Sequence, residues 1–538
     1  MVENRYLTVA LLIAFCIAPI SIIAFFIVYI LLRSLCYLTP ILLGTIGTVI
    51  LLIGLKTGVD LTITDFVTVE GLGEYGWDFS PGAWLKSDPV SIGTSMILIA
   101  VAYALNPVCT AERRMIFDSE RKEKERLRRY RVNKVDYLNP AHQLVIGVSG
   151  GGKSAYLART AEQILANTND VLFFIDGKAS IEQYSLYDNL KMLAKRYDRK
   201  LIIWNVTGNR GIDCSIYNPF ANMADIHMLK DMILELMNTD EGIMETAGTE
   251  HYKTMFSRWL LVVLGFMKKY RIKFTLPNIV KLLDYETINN YISKREDVNI
   301  KDKAKIKQIS DKLWGDVEAE VEKLKIYMEG VGEDLFVARG RESFNLVSAY
   351  EEGAIVLALV DQLSMPGLAR GCARMMIMDI RNLVAARLSG RIDMDKRCWF
   401  FWDEFARYAT STVLDIVSMA RSAECTCVLG TQAISDLQAL SDEFYKSTVN
   451  CCNRYIIFRQ NDADSAEELA NLIGTELSVT QTVRTTNDSV TGEGSSTAER
   501  SFIISPDYIK NLEDNRGIVV SKRPKQIQLF KNRFVSQE

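Results

Sequence analysis

Residues 147–154 read Gly147-Val148-Ser149-Gly150-Gly151-Gly152-Lys153-Ser154 and match the pattern GxxxxGK(S/T). The apolar run Leu144 to Ile146 precedes them, and a helix-compatible stretch, Ala155 to Asn167, follows. This order of strand, glycine-rich loop and helix is what a phosphate-binding P-loop requires, because glycines let backbone N–H groups wrap a phosphate chain. The pattern predicts that the ligand is ATP with Mg²⁺.

Within this loop we expect Lys153 to reach the β- and γ-phosphates and the Ser154 hydroxyl to ligate Mg²⁺. The predicted nucleotide-binding residues are Gly147, Ser149, Gly150, Gly151, Gly152, Lys153 and Ser154.

An acidic pair follows an apolar run far downstream. The run Cys398 to Trp402 leads directly into Asp403-Glu404. A buried strand of this kind delivers a carboxylate to its carboxyl end, as a Walker B strand does. We expect Asp403 to hold Mg²⁺ through water and Glu404 to orient or deprotonate the attacking water. Such a pair is common by itself, but together with the P-loop it predicts nucleotide hydrolysis.

Short apolar runs with helix-like stretches between most of them predict an α/β doubly wound sheet. Besides the two runs above, they are Asp170 to Asp176, Lys200 to Trp204, Ala354 to Val360, Cys425 to Leu429 and Arg454 to Phe458.

The middle of the chain has a different pattern. Between Asp225 and Tyr350 strand-like runs disappear and helical spacing dominates, which predicts an all-α domain inserted into the sheet domain. Within it, Lys301 to Lys325 alternates in charge sign, as a solvated helix face does, and a DNA-contacting face is the alternative. Farther along, Ser478 to Arg500 is rich in Thr, Ser, Gly and Asn and is predicted to be a mobile loop.

Two residues near the end of a predicted strand are further catalytic candidates. Gln432 directly follows the run Cys425 to Gly430, where it is placed to sense the γ-phosphate, and an ordinary polar residue at a strand end is the alternative. Arg421 is a candidate arginine finger that acts on the nucleotide of a neighbouring subunit. The alternative for Arg421 is a surface ion pair with Glu424.

Three uncharged apolar stretches open the sequence: Leu7 to Leu32, Leu35 to Leu55 and Val90 to Val108. Each has about twenty residues, enough to cross a bilayer as a helix, and the first is too long and too poor in cations for a signal peptide. Cations are concentrated between Arg113 and Lys134, directly after the third apolar stretch. This predicts that the C-terminal end of that stretch faces the cytoplasm. The basic run is expected to contact anionic lipid or DNA, or to be a solvated linker helix.

Composition sets limits on function. The 538 residues are too many for one core, and a net charge of only -3 requires that any DNA contact come from local patches. The ten cysteines include no CxxC pair, and the chain has only three histidines, so the usual ligand spacing of a zinc site is missing.

Together these motifs resemble a family, the membrane-anchored coupling-protein ATPases of type IV secretion and conjugation systems, which are relatives of FtsK-type DNA pumps. The resemblance covers about His142 to Pro524. Its features, besides the P-loop, are Asp176-Gly177-Lys178, Tyr217-Asn218-Pro219-Phe220, Asp403-Glu404-Phe405, the element Arg421 to Gln432, Asn461-Asp462 and the late Ser/Thr-rich loop.

The resemblance implies an inner-membrane protein with a cytoplasmic ATPase that forms a homo-oligomeric, hexameric ring around a central channel. It implies ATP-driven transfer of a relaxase bound to single-stranded DNA, or of an effector protein, into a type IV secretion channel, with double-stranded DNA as the other candidate nucleic acid. Membrane lipid would be a further partner.

The expected fold is α/β: a RecA-like P-loop sheet domain with an inserted all-α domain and an N-terminal transmembrane helical region. We assign 1–110 to a membrane anchor of two or three helices with an extracytoplasmic loop at about 56–89, and 111–138 to a basic linker helix. The nucleotide-binding domain comprises 139–224 and 351–538, and the insert 225–350.

Two departures from the family leave alternatives open. Family members usually begin with two membrane helices, whereas this sequence has three apolar stretches. The chain also ends soon after Pro524 without the long acidic tail that some members use to dock partners, so the insert is the better candidate for contact with the substrate complex. One alternative function is a membrane-bound receptor for effectors in which nucleotide binding mainly drives assembly. The other is an FtsK-type DNA pump, which the short membrane portion disfavours.

Overall fold

The computed structural model describes residues 121–535, apart from 122, 207–210, 213, 222–224, 238–246, 330–332, 337–341 and 487–488. From Tyr130 onward these residues form one compact unit. The predicted membrane anchor, 1–110, lies outside the described residues, and its helix number and loop stay predictions. Among the helices of the described part, none is both long and apolar enough to cross a membrane.

A nine-stranded sheet organises this unit, in the order β13-β12-β9-β1-β8-β7-β2-β6-β3. The strands in chain order are β1 (Gln143–Ile146), β2 (Val171–Asp176), β3 (Leu201–Asn205), β4 (Ile216–Tyr217), β5 (Ser343–Phe344), β6 (Ile355–Leu359), β7 (Cys398–Asp403), β8 (Cys425–Thr431), β9 (Arg454–Ile457), β10 (Thr475–Thr486), β11 (Ser489–Phe502), β12 (Arg516–Lys522) and β13 (Lys525–Lys531). The seven strands predicted from apolar runs are all present and mutually parallel. A mixed α/β fold with a large parallel sheet is thereby confirmed.

The helices in chain order are α1 (Lys153–Asn167), α2 (Leu186–Arg196), α3 (Ile226–Met237), α4 (Ala247–Lys269), α5 (Leu276–Leu283), α6 (Tyr285–Lys294), α7 (Ile300–Tyr327), α8 (Glu333–Phe336), α9 (Leu346–Glu352), α10 (Pro366–Leu388), α11 (Ser411–Ala420), α12 (Ile434–Gln438), α13 (Asp442–Cys451), α14 (Ala463–Ile473) and α15 (Pro506–Lys510).

The central strands are apolar along their whole length because both faces of the sheet are covered. Every residue of β2, β7 and β8 is buried. Alternate side chains, among them Phe174 and Phe401, belong to the same buried cluster as residues of α1 and α2. Their rings stack with centroids 4.3 Å apart. The helix α11 contacts β8.

The helical insert is built around α4, which packs against α3, α5 and α7. The Trp259 indole donates a hydrogen bond to the Leu283 carbonyl at 2.9 Å and ties α4 to the end of α5. The helix α3 packs against α10 of the sheet domain. The two backbones approach so closely at Gly371 that a Cβ there would lie 2.3 Å from the Leu236 carbonyl oxygen. The insert is therefore packed firmly onto the sheet domain.

The linker helix predicted over 111–138 is too long at its C-terminal end. Helical backbone is present at 121 and 123–128 and stops there. Beyond it, Tyr130 accepts a hydrogen bond from Leu529 N at 2.7 Å and Val132 donates one to Leu529 O at 3.0 Å. The chain thus runs alongside β13, a partner nearly 400 residues away that the local charge pattern could not reveal.

The loop predicted over Ser478 to Arg500 is also wrong, because the described residues of this segment lie in an antiparallel hairpin of β10 and β11. The pairing runs from Thr475 opposite Phe502 to Thr486 opposite Ser489, with a register shift between Val483 and Thr485. An antiparallel pair of strands satisfies its backbone by cross-strand hydrogen bonds, and threonine favours strands. The scarcity of large apolar residues was therefore a poor guide.

Candidate nucleotide-binding site

Parallel strands bring their carboxyl ends to one edge of the sheet, and the predicted site residues collect there. The neighbouring strands β1, β8, β7 and β2 end in the P-loop, Gln432, Asp403-Glu404 and Asp176-Gly177-Lys178, respectively. Residues more than 250 positions apart in the chain thereby form one cluster.

The P-loop is hydrogen-bonded to the chain on both sides of it, and its backbone conformation suits the binding of an anion. Gly147 N donates to Thr431 O at 3.3 Å and Val148 N to Arg459 O at 3.1 Å. Gly150 and Gly152 have φ values of 78° and 119°, which glycine adopts without strain. The helix α1 begins directly after Gly152 with no side chain capping its N-terminus, so that its first N–H groups suit a phosphate.

Lys153 and Ser154 face the acidic pair. Lys153 Nζ donates to Gly147 O at 2.5 Å and lies 3.7 Å from Glu404 Oε1. Ser154 Oγ donates to Asp403 Oδ2 at 3.4 Å. A hydroxyl and a carboxylate are oxygen ligands of the type that Mg²⁺ prefers, so Ser154 and Asp403 fit the predicted role of holding this ion.

Glu404 is buried, only 3% exposed. Its backbone has φ of 53°, a left-handed conformation that turns the chain immediately after β7. Lys178 Nζ lies 3.0 Å from Glu404 Oε1, and the Gln432 side chain also donates a hydrogen bond to the Glu404 carboxylate. The structure therefore brings Gln432 to the carboxylate that is predicted to be catalytic, next to the predicted phosphate position.

The pKa shifts at this edge show how its charges depend on one another. Burial, followed by repulsion from Asp403, raises the pKa of Asp176 to about 7, and burial also raises the pKa of Asp403. Burial would raise the pKa of Glu404 as well, but Lys153 and Lys178 outweigh it and hold the pKa below its usual value. Burial lowers the pKa of Lys153 despite its acidic neighbours.

Comparison with known proteins gives two kinds of match. Residues 397–514 match the family model TraG-D_C, the TraM recognition site of TraD and TraG. The unbound monoclinic structure of the bacterial conjugative coupling protein TrwBdeltaN70 is similar with a TM-score of 0.50 and 14% identity, over 74% of this chain and 86% of that chain. The resemblance to the type IV coupling proteins is confirmed.

Two further solved structures are similar at 15% identity over 74% of this chain. They are TrwB in complex with ADP and Mg²⁺, with a TM-score of 0.47 and 86% of that chain covered, and VirB4 of Thermoanaerobacter pseudethanolicus, with 0.46 and 93%. Comparison with curated proteins gave no match. At 14% identity the TrwBdeltaN70 structure speaks for the fold alone. The family match spans the segment from β7 to α15, which carries Asp403, Glu404, Arg421 and Gln432.

The C-terminal hairpin holds the P-loop through two asparagines that sequence reasoning missed. Asn515 N donates to Gly151 O at 3.1 Å, and the Asn532 side chain donates to Gly152 O at 3.4 Å. The space is tight, since a Cβ at Gly152 would lie 2.9 Å from Asn515 Oδ1. Asn515 itself has φ of 60°, which asparagine tolerates better than most residues. No local signal links these positions to residues 147–154.

Arg421 is the one predicted catalytic residue that the structure does not bring to this cluster. It precedes β8, whose seven residues separate the two edges of the sheet by about 20 Å. At the amino edge Arg421 lies close enough to His142 to lower its pKa. Glu424, its alternative ion-pair partner, pairs with Arg397. Action of Arg421 on a neighbouring subunit stays a prediction.

Proposed function

We propose that this chain is a type IV coupling ATPase, which hydrolyses ATP with Mg²⁺ and uses the energy to pass DNA, protein or both into a type IV secretion channel. The observation that carries the proposal is the convergence of Lys153, Ser154, Asp403 and Glu404 at one sheet edge. Two of them, Asp403 and Glu404, lie within the segment 397–514 that matches the family model.

Each residue of the cluster has a distinct part in the proposed reaction. The P-loop N–H groups and Lys153 hold the phosphates. Ser154 and Asp403 would hold Mg²⁺, which would neutralise phosphate charge when bound. Glu404 accepts the proton of the attacking water. Gln432 donates to Glu404, so a change at the γ-phosphate can reach the end of β8 through this contact.

The proposed working form is a homo-oligomer, a hexameric ring. Its support is the placement of Arg421, which is exposed at the edge opposite the phosphate loop of its own subunit. An arginine there can complete a nucleotide site only across a subunit boundary.

The proposed protein partners are a TraM-like recognition protein, a relaxase or effector, and the components of the secretion channel. The first is supported by residues 397–514, whose family model is a TraM recognition site. The insert, which sequence reasoning favoured for substrate contact, stays a second candidate surface. We further propose that 1–110 anchors the chain in the inner membrane with the ATPase in the cytoplasm.

A basic cavity of about 240 Å³ is the candidate contact for the DNA backbone. Four cations line it, and among the described residues no carboxylate does. They are Lys134, Arg159, Lys531 and Arg533. Directly after Arg533 lies Phe534, 54% exposed, whose ring is 5.7 Å from that of the half-exposed Tyr184. Cations that hold phosphates beside aromatic rings that stack on bases are typical of single-strand binding.

The test of the proposed function is ATP hydrolysis by the purified full chain, with and without single- and double-stranded DNA. We expect Mg²⁺-dependent hydrolysis that DNA stimulates and that Lys153→Ala lowers by about 100-fold or more, because the phosphates lose their buried cation. Hydrolysis that ignores DNA of every length would instead favour the receptor function, in which nucleotide serves assembly.

The basic cavity is tested separately by DNA affinity. The double variant Lys531→Glu/Arg533→Glu is expected to weaken binding of a labelled single strand and to flatten its salt dependence, because fewer counterions are released. The matched control is Lys307→Glu/Lys312→Glu on the solvated face of α7, which should bind as the wild type does. The opposite pattern would place the DNA on the insert.

A further inference from the structure

Lys178 stands out because the proposed mechanism gives it no task, although it makes the shortest ion pair to Glu404. Its Nζ lies 3.0 Å from Glu404 Oε1, against 3.7 Å for Lys153. We propose that Lys178 is a positioning residue that holds the Glu404 carboxylate ready to accept the proton of the attacking water. The inference rests on the proposed ATPase function and adds a residue to it.

The turn that presents Lys178 is built by Asp176. One carboxylate oxygen, Oδ1, accepts hydrogen bonds from Lys178 N at 2.9 Å and Ala179 N at 3.2 Å. Ala179 has φ of 50°, so the turn adopts a left-handed conformation that these bonds fix. The backbone also passes close to its target, since a Cβ at Gly177 would lie 3.1 Å from Asp403 O and 3.2 Å from Glu404 Cβ. The position of Lys178 beside Glu404 is therefore set by the fold.

The two lysines near Glu404 differ in what else they do. Lys153 is almost completely buried and donates to Gly147 O, so it belongs to the P-loop, where bound phosphates would attract it. The side chain of Lys178 is 34% exposed and follows a different strand. When phosphates draw the charge of Lys153, Lys178 remains the cation that keeps Glu404 in place, together with the hydrogen bond from Gln432.

The chemistry explains why a held carboxylate matters. The water oxygen forms a bond to the γ-phosphorus while the bond from that phosphorus to the β,γ-bridging oxygen breaks, and its electron pair leaves with ADP. The water proton passes to a Glu404 oxygen, so the reaction consumes ATP and water and yields ADP and phosphate. A base rotated away from the water loses reaction rate without loss of nucleotide binding, because orientation acts on the chemical step.

The experiment compares Lys178→Met and Lys178→Arg in the full chain, with steady-state ATP hydrolysis and binding of a non-hydrolysable ATP analogue. We expect Lys178→Met to lower kcat by about 10- to 100-fold with KM and analogue affinity within about twofold of the wild type. Lys178→Arg, which restores a cation, should recover most of kcat. The matched control is Lys195→Met, an exposed lysine in the last turn of α2.

The outcomes separate the inference from the function on which it rests. A wild-type chain without ATPase activity would refute the proposed function and the inference together. An active wild type with Lys178→Met at unchanged kcat would overturn the inference alone. So would a raised KM at unchanged kcat, because Lys178 would then bind phosphate rather than position the base. If Lys178→Met folds poorly in a thermal melt, Lys178→Arg is compared with the wild type instead, and a well-folded Lys178→Arg whose kcat is about 10-fold lower or more would overturn the inference.

Discussion

At the carboxyl edge of the sheet, Lys153 and Lys178 face the buried carboxylate of Glu404, whereas at the amino edge the wholly buried Arg387 is held mainly by backbone. The Arg387 guanidinium donates to Ala423 O at 2.7 Å and to Lys396 O at 3.0 Å, and it lies 5.0 Å from the centre of the Tyr350 ring. Neutral dipoles thus satisfy the charge of Arg387. The carboxyl edge instead gathers the carboxylates of Asp176, Asp403 and Glu404. Repulsion among them adds to burial in raising the pKa values of Asp176 and Asp403.

The difference separates structural charge from functional charge. A cation saturated by fixed carbonyls contributes to stability, and its loss leaves those carbonyls without donors. A cluster with raised carboxylate pKa values stores unfavourable interactions that a ligand can relieve. Substitutions at the two edges should therefore change stability in opposite directions.

The largest expected effect on stability is that of Arg387→Met. Loss of the guanidinium leaves two buried carbonyls unpaired, and we expect the free energy of unfolding to fall by about 3–5 kcal/mol. Thermal unfolding of the full chain checks this, with Arg387→Lys as a control that keeps the charge but not the forked geometry. An unchanged melting temperature in Arg387→Met would contradict the claim that the buried guanidinium of Arg387 stabilises the fold.

The pH dependence of stability should also report on the amino edge. His142 is buried, its Nδ1 accepts from Cys427 N at 3.0 Å, and burial followed by Arg421 and Arg397 lowers its pKa to about 4. The unfolded chain, with an ordinary pKa near 6.5, binds the proton first, so stability falls as the pH drops from about 6.5 to 4. The loss is about 2–3 kcal/mol.

His142→Asn tests the origin of that loss. The asparagine oxygen can accept the same backbone hydrogen bond but does not titrate, so the variant should lose less stability than the wild type between pH 6.5 and 4. Melting curves recorded across this range decide the matter, and parallel curves for the two proteins would assign the acid sensitivity to other groups.

The smallest of the three effects on stability has the opposite sign. The folded pKa of Asp176 is raised to about 7, so its favourable contribution is complete below about 3.8 and is lost as the pH rises through 7. Asp176→Asn keeps the neutral state and should stabilise the protein by about 1–3 kcal/mol at pH 8. A higher melting temperature for the variant, by a margin that grows from pH 5 to pH 8, would support this. Destabilisation at both pH values would contradict it.

Sequence reasoning located the parts of the site that sit beside local motifs. The P-loop pattern, the apolar strand before Asp403 and the polar residue after β8 each carry their signal within about ten residues, and parallel strands then bring them together. Lys178 was noticed only through resemblance, because its partner Glu404 lies more than 220 residues away. The contacts of Asn515 and Asn532 left no local trace at all.

The same limit applies to the fold. Uninterrupted apolar runs are typical of buried parallel strands, so the centre of the sheet was predictable. The sequence of β10 and β11 lacks the apolar runs of a buried strand, and the path of 130–132 is fixed by β13 rather than by its own residues. Both depend on pairing between segments, which composition does not record.

The most direct test of the account is the effect of Glu404→Gln on ATP binding and hydrolysis by the full chain, measured on the same samples. The wild type is expected to hydrolyse ATP with Mg²⁺, while the variant is expected to bind ATP with similar affinity and to turn it over about 100- to 1,000-fold more slowly, because it lacks the proton acceptor. Hydrolysis by Glu404→Gln at the wild-type rate, or a wild type that binds no ATP, would contradict the assignment of the carboxyl edge of the sheet as the ATP hydrolysis site.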